Sequence, residues 1–153
     1  MLFRSPGTIM SLIVVGEYSV HVNLAYSQVT NNGGGISLGG VDVYYSMSNC
    51  EYTNNSGPLD YDCRFRGSCD ISNCTFANNT NNAINVNKND FGSGYPIELT
   101  NISNSIITFN EGYGISNNGN IGVNVTCSDV FGNSIGDYEN MDNPTEIDRK
   151  SVV

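Results

Sequence analysis

A nine-residue pattern recurs five times in this chain, and its spacing restricts the fold more than any single residue does. The copies are LAYSQVTNN (24–32), MSNCEYTNN (47–55), ISNCTFANN (71–79), ISNSIITFN (102–110) and VTCSDVFGN (125–133). Each opens on an apolar residue, carries Ser or Cys at its fourth position, an apolar or aromatic residue at its sixth, and closes on Asn. The closing asparagines stand 23, 24, 31 and 23 residues apart. A period of that size marks a solenoid, in which one repeat cannot bury its apolar side alone and does so by stacking on the next.

Helical repeats do not fit. The chain is rich in Asn, Gly and Ser, which favour turns, and its apolar residues are mostly β-branched or aromatic, which favour strands. A leucine-rich repeat of similar length needs several leucines per turn, and few are present. The expected fold is therefore all-β, a parallel β-helix of about five to six coils of roughly 23 residues. Coils stack at the strand spacing of about 4.8 Å, so each position of the pattern becomes a column along the axis.

Leu24, Met47, Ile71, Ile102 and Val125 form one apolar column, and Val29, Tyr52, Phe76, Ile107 and Val130 a second. Ser27, Cys50, Cys74, Ser105 and Ser128 form a column of small residues, with Cys50 and Cys74 read as small buried hydrophobes. Ile36, Ile84 and Ile115 indicate a third inward face. Asn32, Asn55, Asn79, Asn110 and Asn133 predict a ladder of stacked amides at a bend, where Asn also tolerates left-handed backbone.

Repeats of the form ISNCTFANN, with GGGI following Asn32 and VNVTCSDVFGNSIGDY at 123–138, resemble those of the right-handed parallel β-helices of the pectin-lyase-like superfamily, secreted bacterial type. The resemblance covers roughly residues 20–138. It implies a right-handed helix and an extracellular or cell-surface location. It does not imply one activity, because that scaffold carries lyases, hydrolases and passive stalks alike.

The longest spacing places extra chain near residues 88–96, as a loop leaving one corner. A second stretch, 57–70, keeps the normal spacing but reads as an irregular surface loop without apolar rhythm. It holds Asp60, Asp62, Arg64, Arg66 and Asp70, the one place where carboxylates and basic groups combine as a lyase-type calcium site and base would need. Alternating charges on a solvated loop are the plainer explanation. Calcium is thus the only cofactor these residues raise. The superfamily's hydrolase motifs are missing, no catalytic residue is assigned, and His21 is expected to face outward from a strand between Val20 and Val22. An EF-hand-like spacing at Asn87, Asn89, Gly92 and Glu98 and a GGVD at 39–42 read as chance matches.

Five cysteines without a C-x-x-C pair give zinc little support. Cys63 and Cys69 flank a short segment and are expected to pair if the protein is secreted. A net charge of −9 with six basic residues argues against nucleic acid. No membrane span is expected. The apolar run at residues 9–15 is expected to be a strand of an incomplete preceding coil rather than a signal peptide. Residues 148–153, DRKSVV, match an in-frame translation of a sequencing-library adapter. The β-helix domain is accordingly taken as 1–147 with further coils of the same protein as its partners, and 148–153 as a non-native tail.

The expected role is structural or binding, with Tyr44, Tyr61 and Tyr95 as outward aromatics that could stack on the sugars of a polysaccharide or cell-surface glycan. The alternative is a fragment of a polysaccharide lyase or glycoside hydrolase.

Overall fold

The computed structural model describes residues 2–4 (backbone only), 19–88, 99–119 and 122–141. The apolar run at 9–15, Tyr95, most of the EF-hand-like spacing and the tail from 142 onward lie outside the described residues. Every described element is a strand, and every strand pairing is parallel. The chain is a β-solenoid of about five turns.

Each turn visits three faces. The first face stacks β2 (Val20–Ala25), the later half of β4 (Ile36–Ser48), β7 (Cys69–Ser72), β10 (Thr100–Ser103) and β13 (Val123–Thr126). The second stacks β3 (Gln28–Thr30), β5 (Glu51–Thr53), β8 (Thr75–Ala77), β11 (Ile106–Thr108) and β14 (Asp129–Phe131). The third stacks the early half of β4, β6 (Leu59–Arg66), β9 (Ile84–Val86), β12 (Tyr113–Asn117) and β15 (Gly136–Glu139). A short β1 (Leu2–Arg4) pairs with Gln28–Thr30 where a preceding coil's second face would lie. Strand β4 belongs to two faces because the chain passes from third to first face there without a break, with a register shift between Gly40 and Asp42.

The columns stack as the repeat requires. Leu24 pairs with Met47, Met47 with Ile71, and Ile102 with both Ile71 and Val125. Val29, Tyr52, Phe76, Ile107 and Val130 follow one another on the second face. The third inward column is fuller than expected: Ile36, Leu59, Ile84, Ile115 and Tyr138. Between the two ends of each column every side chain lies between neighbours above and below, so burial is supplied by stacking, with two apolar faces per residue removed from water.

The stretch at 57–70 is not an irregular loop. Leu59, Tyr61 and Cys63 are wholly buried and alternate with outward Asp60 and Asp62, which is the period of a half-buried strand. Tyr and Cys supply the inward positions that a search for aliphatic residues passes over. Tyr61 accordingly does not face solvent; its hydroxyl donates to the Val43 carbonyl at 2.9 Å. The disulfide between Cys63 and Cys69 is absent, and both thiols are free and buried. They stand on different faces, on either side of the corner at Gly67, and the Cys63 thiol donates to the Arg66 carbonyl at 2.8 Å.

Two corners per coil share one device: a left-handed residue followed by a hydrogen-bonding rung. Between second and third faces the left-handed residues are Asn31, Asn54, Asn78, Phe109 and Gly132, each just before a ladder asparagine. The ladder asparagines themselves therefore do not take the left-handed conformation; their neighbours do. The Oδ1 of each rung accepts the backbone N–H of the rung before it, at 3.1 Å for Asn32 to Asn55, 2.9 Å for Asn55 to Asn79, and 3.1 Å for both Asn79 to Asn110 and Asn110 to Asn133. Asn133 in turn donates through Nδ2 to Asp137 Oδ1 at 3.0 Å, so a carboxylate closes the row. At the other end Asn32 Oδ1 is buried without a partner among the described residues.

The corner between first and second faces carries a second ladder. Tyr26, Asn49, Asn73, Asn104 and Cys127 are left-handed there, and the rungs are Ser27, Cys50, Cys74, Ser105 and Ser128. Each rung donates its hydroxyl or thiol to the carbonyl two residues back, from 2.8 Å for Ser27 and Ser105 to 3.1 Å for Cys50 and Cys74. Backbone N–H groups donate across coils to Cys50 Sγ, Ser105 Oγ and Ser128 Oγ. Cys50 and Cys74 are thus rungs rather than passive fillers, and burial pushes the Cys74 thiol up to about 11, which keeps it in the protonated, donating form.

Tyr26 holds φ at 49° while 79% exposed, where three other coils use Asn. A left-handed non-Gly residue costs roughly 1–2 kcal/mol, and Asn relieves part of it. Tyr26→Asn is therefore expected to stabilise the protein by about 0.5–1 kcal/mol, read as a higher urea midpoint with an unchanged slope.

Candidate functional site

The outward side of the first face carries an open recess. Strand alternation turns Leu24, Val43, Tyr45 and Met47 toward the core and His21, Asn23, Tyr44 and Ser46 outward. His21 and Tyr44 are register partners on adjacent coils. Their rings stack 4.6 Å apart with planes 7° from parallel. His21 is exposed on its strand, as expected from the sequence.

The next rung of that column is small. Tyr45 pairs with Cys69, so Ser68 follows Tyr44 along the axis, and the ring face turned away from His21 looks over a serine. Beside it runs a polar column: Asn23, Ser46, Asp70, Asn101 and Asn124. Asn101 donates through Nδ2 to Asp70 Oδ1 at 2.9 Å, and Asn124 to Asn101 Oδ1 at 3.3 Å. The step from a large ring to serine leaves an open concavity of about 260 Å³, lined by His21, Asn23, Tyr44, Ser46, Ser68 and Asp70 among others. An aromatic face beside hydroxyl, amide and carboxylate groups suits a ligand with one apolar face and a polar rim.

The five charged candidates are not gathered in one place. Asp60 and Asp62 face outward on β6 of the third face, Arg64 and Arg66 follow further along that strand, and Asp70 lies on the first face beside the concavity. Asp60 accepts from Asn87 Nδ2 at 2.6 Å, and the Arg66 backbone N–H donates to Asp42 Oδ1 at 3.2 Å. Among the described residues no three His, Cys, Asp or Glu side chains converge where they could hold a metal. No described helix is long and apolar enough to cross a membrane.

Burial, then the neighbouring Asp62 charge, raises the Asp60 carboxyl above its ordinary 3.8. A carboxyl raised in the folded state favours folding when protonated, and that advantage is lost as pH rises through its folded value. Asp60→Asn keeps an acceptor for Asn87 and removes the charge. It is expected to be more stable than wild type by about 0.5 kcal/mol at neutral pH. Thermal melts across pH should show the difference vanishing as pH falls below 3.8.

Lys88 was expected to begin an exposed loop. It is instead buried, 1% exposed, with Nζ donating to the Gly67 carbonyl. Of the loop expected at 88–96, which falls between the end of β9 at Val86 and the start of β10 at Thr100, all but Lys88 lies outside the described residues.

The His21–Tyr44 pair escaped the sequence reading, although the two residues are one repeat apart. The nine-residue pattern begins after His21, so it does not contain the column to which the pair belongs. Comparison with known proteins adds nothing to this. No protein-family model, curated protein or solved structure matches the chain at a significant level.

Proposed function

We propose that this chain is part of a right-handed parallel β-helix of the pectin-lyase-like kind, belonging to a secreted or cell-surface protein with further coils, and that it binds glycan on its first face. The observation that carries the reading is the stacked His21–Tyr44 pair beside an open, polar-rimmed concavity. A pyranose presents a patch of C–H bonds on one face and hydroxyls at its rim, which is the complement of a tyrosine face flanked by Asn23, Ser46 and Asp70. The scaffold supports the same role: with side chains held in two corner ladders, the outward columns are fixed at one-rung spacing and match a ligand that itself repeats.

Tyr44→Ala tests the reading. Affinity electrophoresis through immobilised polysaccharides should show retardation of the wild type and a loss of about tenfold in affinity for the variant, with an unchanged melting temperature. Equal retardation of both proteins removes Tyr44 from the site, and no retardation of the wild type in any glycan sinks the proposal.

A second reading, that of a carbohydrate-active lyase or hydrolase fragment, has one observation in its favour. Asp60 and Asp62 form a carboxylate pair on one strand face, and burial together with the Asp62 charge raises the Asp60 carboxyl, the direction that the acid of such a pair requires. Reducing-sugar release or unsaturated-product absorbance that disappears in Asp60→Asn would establish it over simple binding.

A further inference from the structure

We infer that the concavity beside Tyr44 takes a hexosamine, a pyranose bearing a free amino group, with Asp70 as the anionic partner of its ammonium. The inference rests on the glycan reading above and adds the substrate class. Asp70 is exposed and lines the concavity. One of its oxygens, Oδ1, is held by the Asn101 amide, which fixes the carboxylate in place. Its other oxygen has no protein donor among the described residues, leaving an oriented acceptor at the rim.

Charge on the remainder of the molecule points the same way. The lining residues include no Lys or Arg. Of the basic residues whose side chains are described, Arg64 and Arg66 belong to the third face, and Lys88 is buried at the Gly67 corner. The chain as a whole carries −9. A uronate would bring its carboxylate to Asp70 with no Lys or Arg among the lining residues to neutralise either group, and like charges at that distance repel. A neutral sugar satisfies the acceptors through hydroxyls, and an amino sugar does so with a full charge pair. Reach is adequate: Tyr44 and Asp70 are one rung and two residues apart, or about 8 Å from a rung of about 4.8 Å and a rise of about 3.3 Å per residue. A ring stacked on Tyr44 spans that gap with its amino substituent.

The test is a calorimetric titration of the whole chain with three oligosaccharides of equal length at neutral pH: a glucosamine oligomer, the matching neutral glucose oligomer, and an oligogalacturonate. Wild type is expected to bind the glucosamine oligomer about five-fold more tightly than the neutral one, and the oligogalacturonate most weakly. Asp70→Asn, which keeps an acceptor for Asn101, should bring the ratio of amino to neutral binding to about one, and raising the salt to about 0.15 M should shrink the ratio in wild type. Equal binding of amino and neutral oligomers by wild type, a preference that survives Asp70→Asn, or tightest binding of the oligogalacturonate each overturns the inference while leaving the glycan reading standing. Binding of none of the three overturns the inference, and the retardation experiment above then decides the glycan reading.

Discussion

Replacing Asn79 by alanine is expected to destabilise the protein by about 3–5 kcal/mol. Asn79 is fully buried in the middle of its ladder. Its Oδ1 accepts the Asn55 backbone N–H at 2.9 Å, and its Nδ2 donates to Tyr52 O at 3.2 Å and to Asn110 Oδ1 at 2.8 Å. Alanine removes all three and leaves a backbone donor without a partner where water cannot reach it. Each such orphan costs about 1–3 kcal/mol, more than the bond contributes when both partners are present. The end of the ladder should behave differently. Among the described residues Asn32 Oδ1 accepts no hydrogen bond, so Asn32→Ala gives up its own donation to Asn55 Oδ1 and orphans no described donor on an earlier rung. It is expected to cost about 1 kcal/mol. Urea titrations of the two variants provide the comparison: the midpoint should fall by about 1.5–2 M for Asn79→Ala and by less than half of that for Asn32→Ala. Equal losses would mean that the ladder does not act through its chain of coil-to-coil bonds.

The second large effect is expected at Gly67, and it follows from backbone geometry rather than from any side chain. Gly67 sits at the corner between β6 and β7 with φ at 149°. A Cβ there would lie 1.8 Å from the Val43 carbonyl oxygen, 2.7 Å from the Val43 carbonyl carbon and 2.9 Å from the Cys63 sulfur. Two of these three are backbone atoms of the adjacent coil, which cannot move without breaking the pairing of β4 with β6 and β7. Gly67→Ala is accordingly expected to cost at least about 3 kcal/mol, or a fall of about 6–12 °C in Tm. Gly33→Ala is the control, since nothing lies within 4 Å of a Cβ at that position, and it should shift Tm by no more than about 2 °C. Similar melting of the two variants would show that the corner opens freely and that the close approach to Val43 is not a constraint.

Residues that recur at the coil period are legible in the sequence, and residues whose place depends on contacts with a neighbouring coil are not. The Asn ladder was legible because its residues recur at the coil period and because amides can both donate and accept along a stack. The two apolar columns were legible for the same reason. The segment at 57–70 was misread because its inward residues are Leu59, Tyr61 and Cys63, and only the first looks like core in isolation. Burial of a tyrosine favours a partner for its hydroxyl, and the Val43 carbonyl that serves Tyr61 belongs to the preceding coil. The pairing expected of Cys63 and Cys69 failed on direction. Closeness in sequence says nothing about which face each thiol occupies once a corner intervenes. At the candidate site, Tyr44 and His21 could each be placed facing outward, but their stacking depends on coil register, and the open face of Tyr44 depends on a serine three strands on.

The repeat, taken alone, determined the period and the identity of the stacked columns, because a 23-residue recurrence forces like residues onto neighbouring rungs. Tertiary contact decided the rest. It assigned the left-handed conformation to the residue before each ladder asparagine, made Cys50 and Cys74 hydrogen-bonding rungs, buried Lys88, and separated Asp70 from Asp60 and Asp62 onto another face. Each of these depends on the backbone of a coil 20 or more residues away or on which side of a corner a residue falls. No local pattern of polarity records either one.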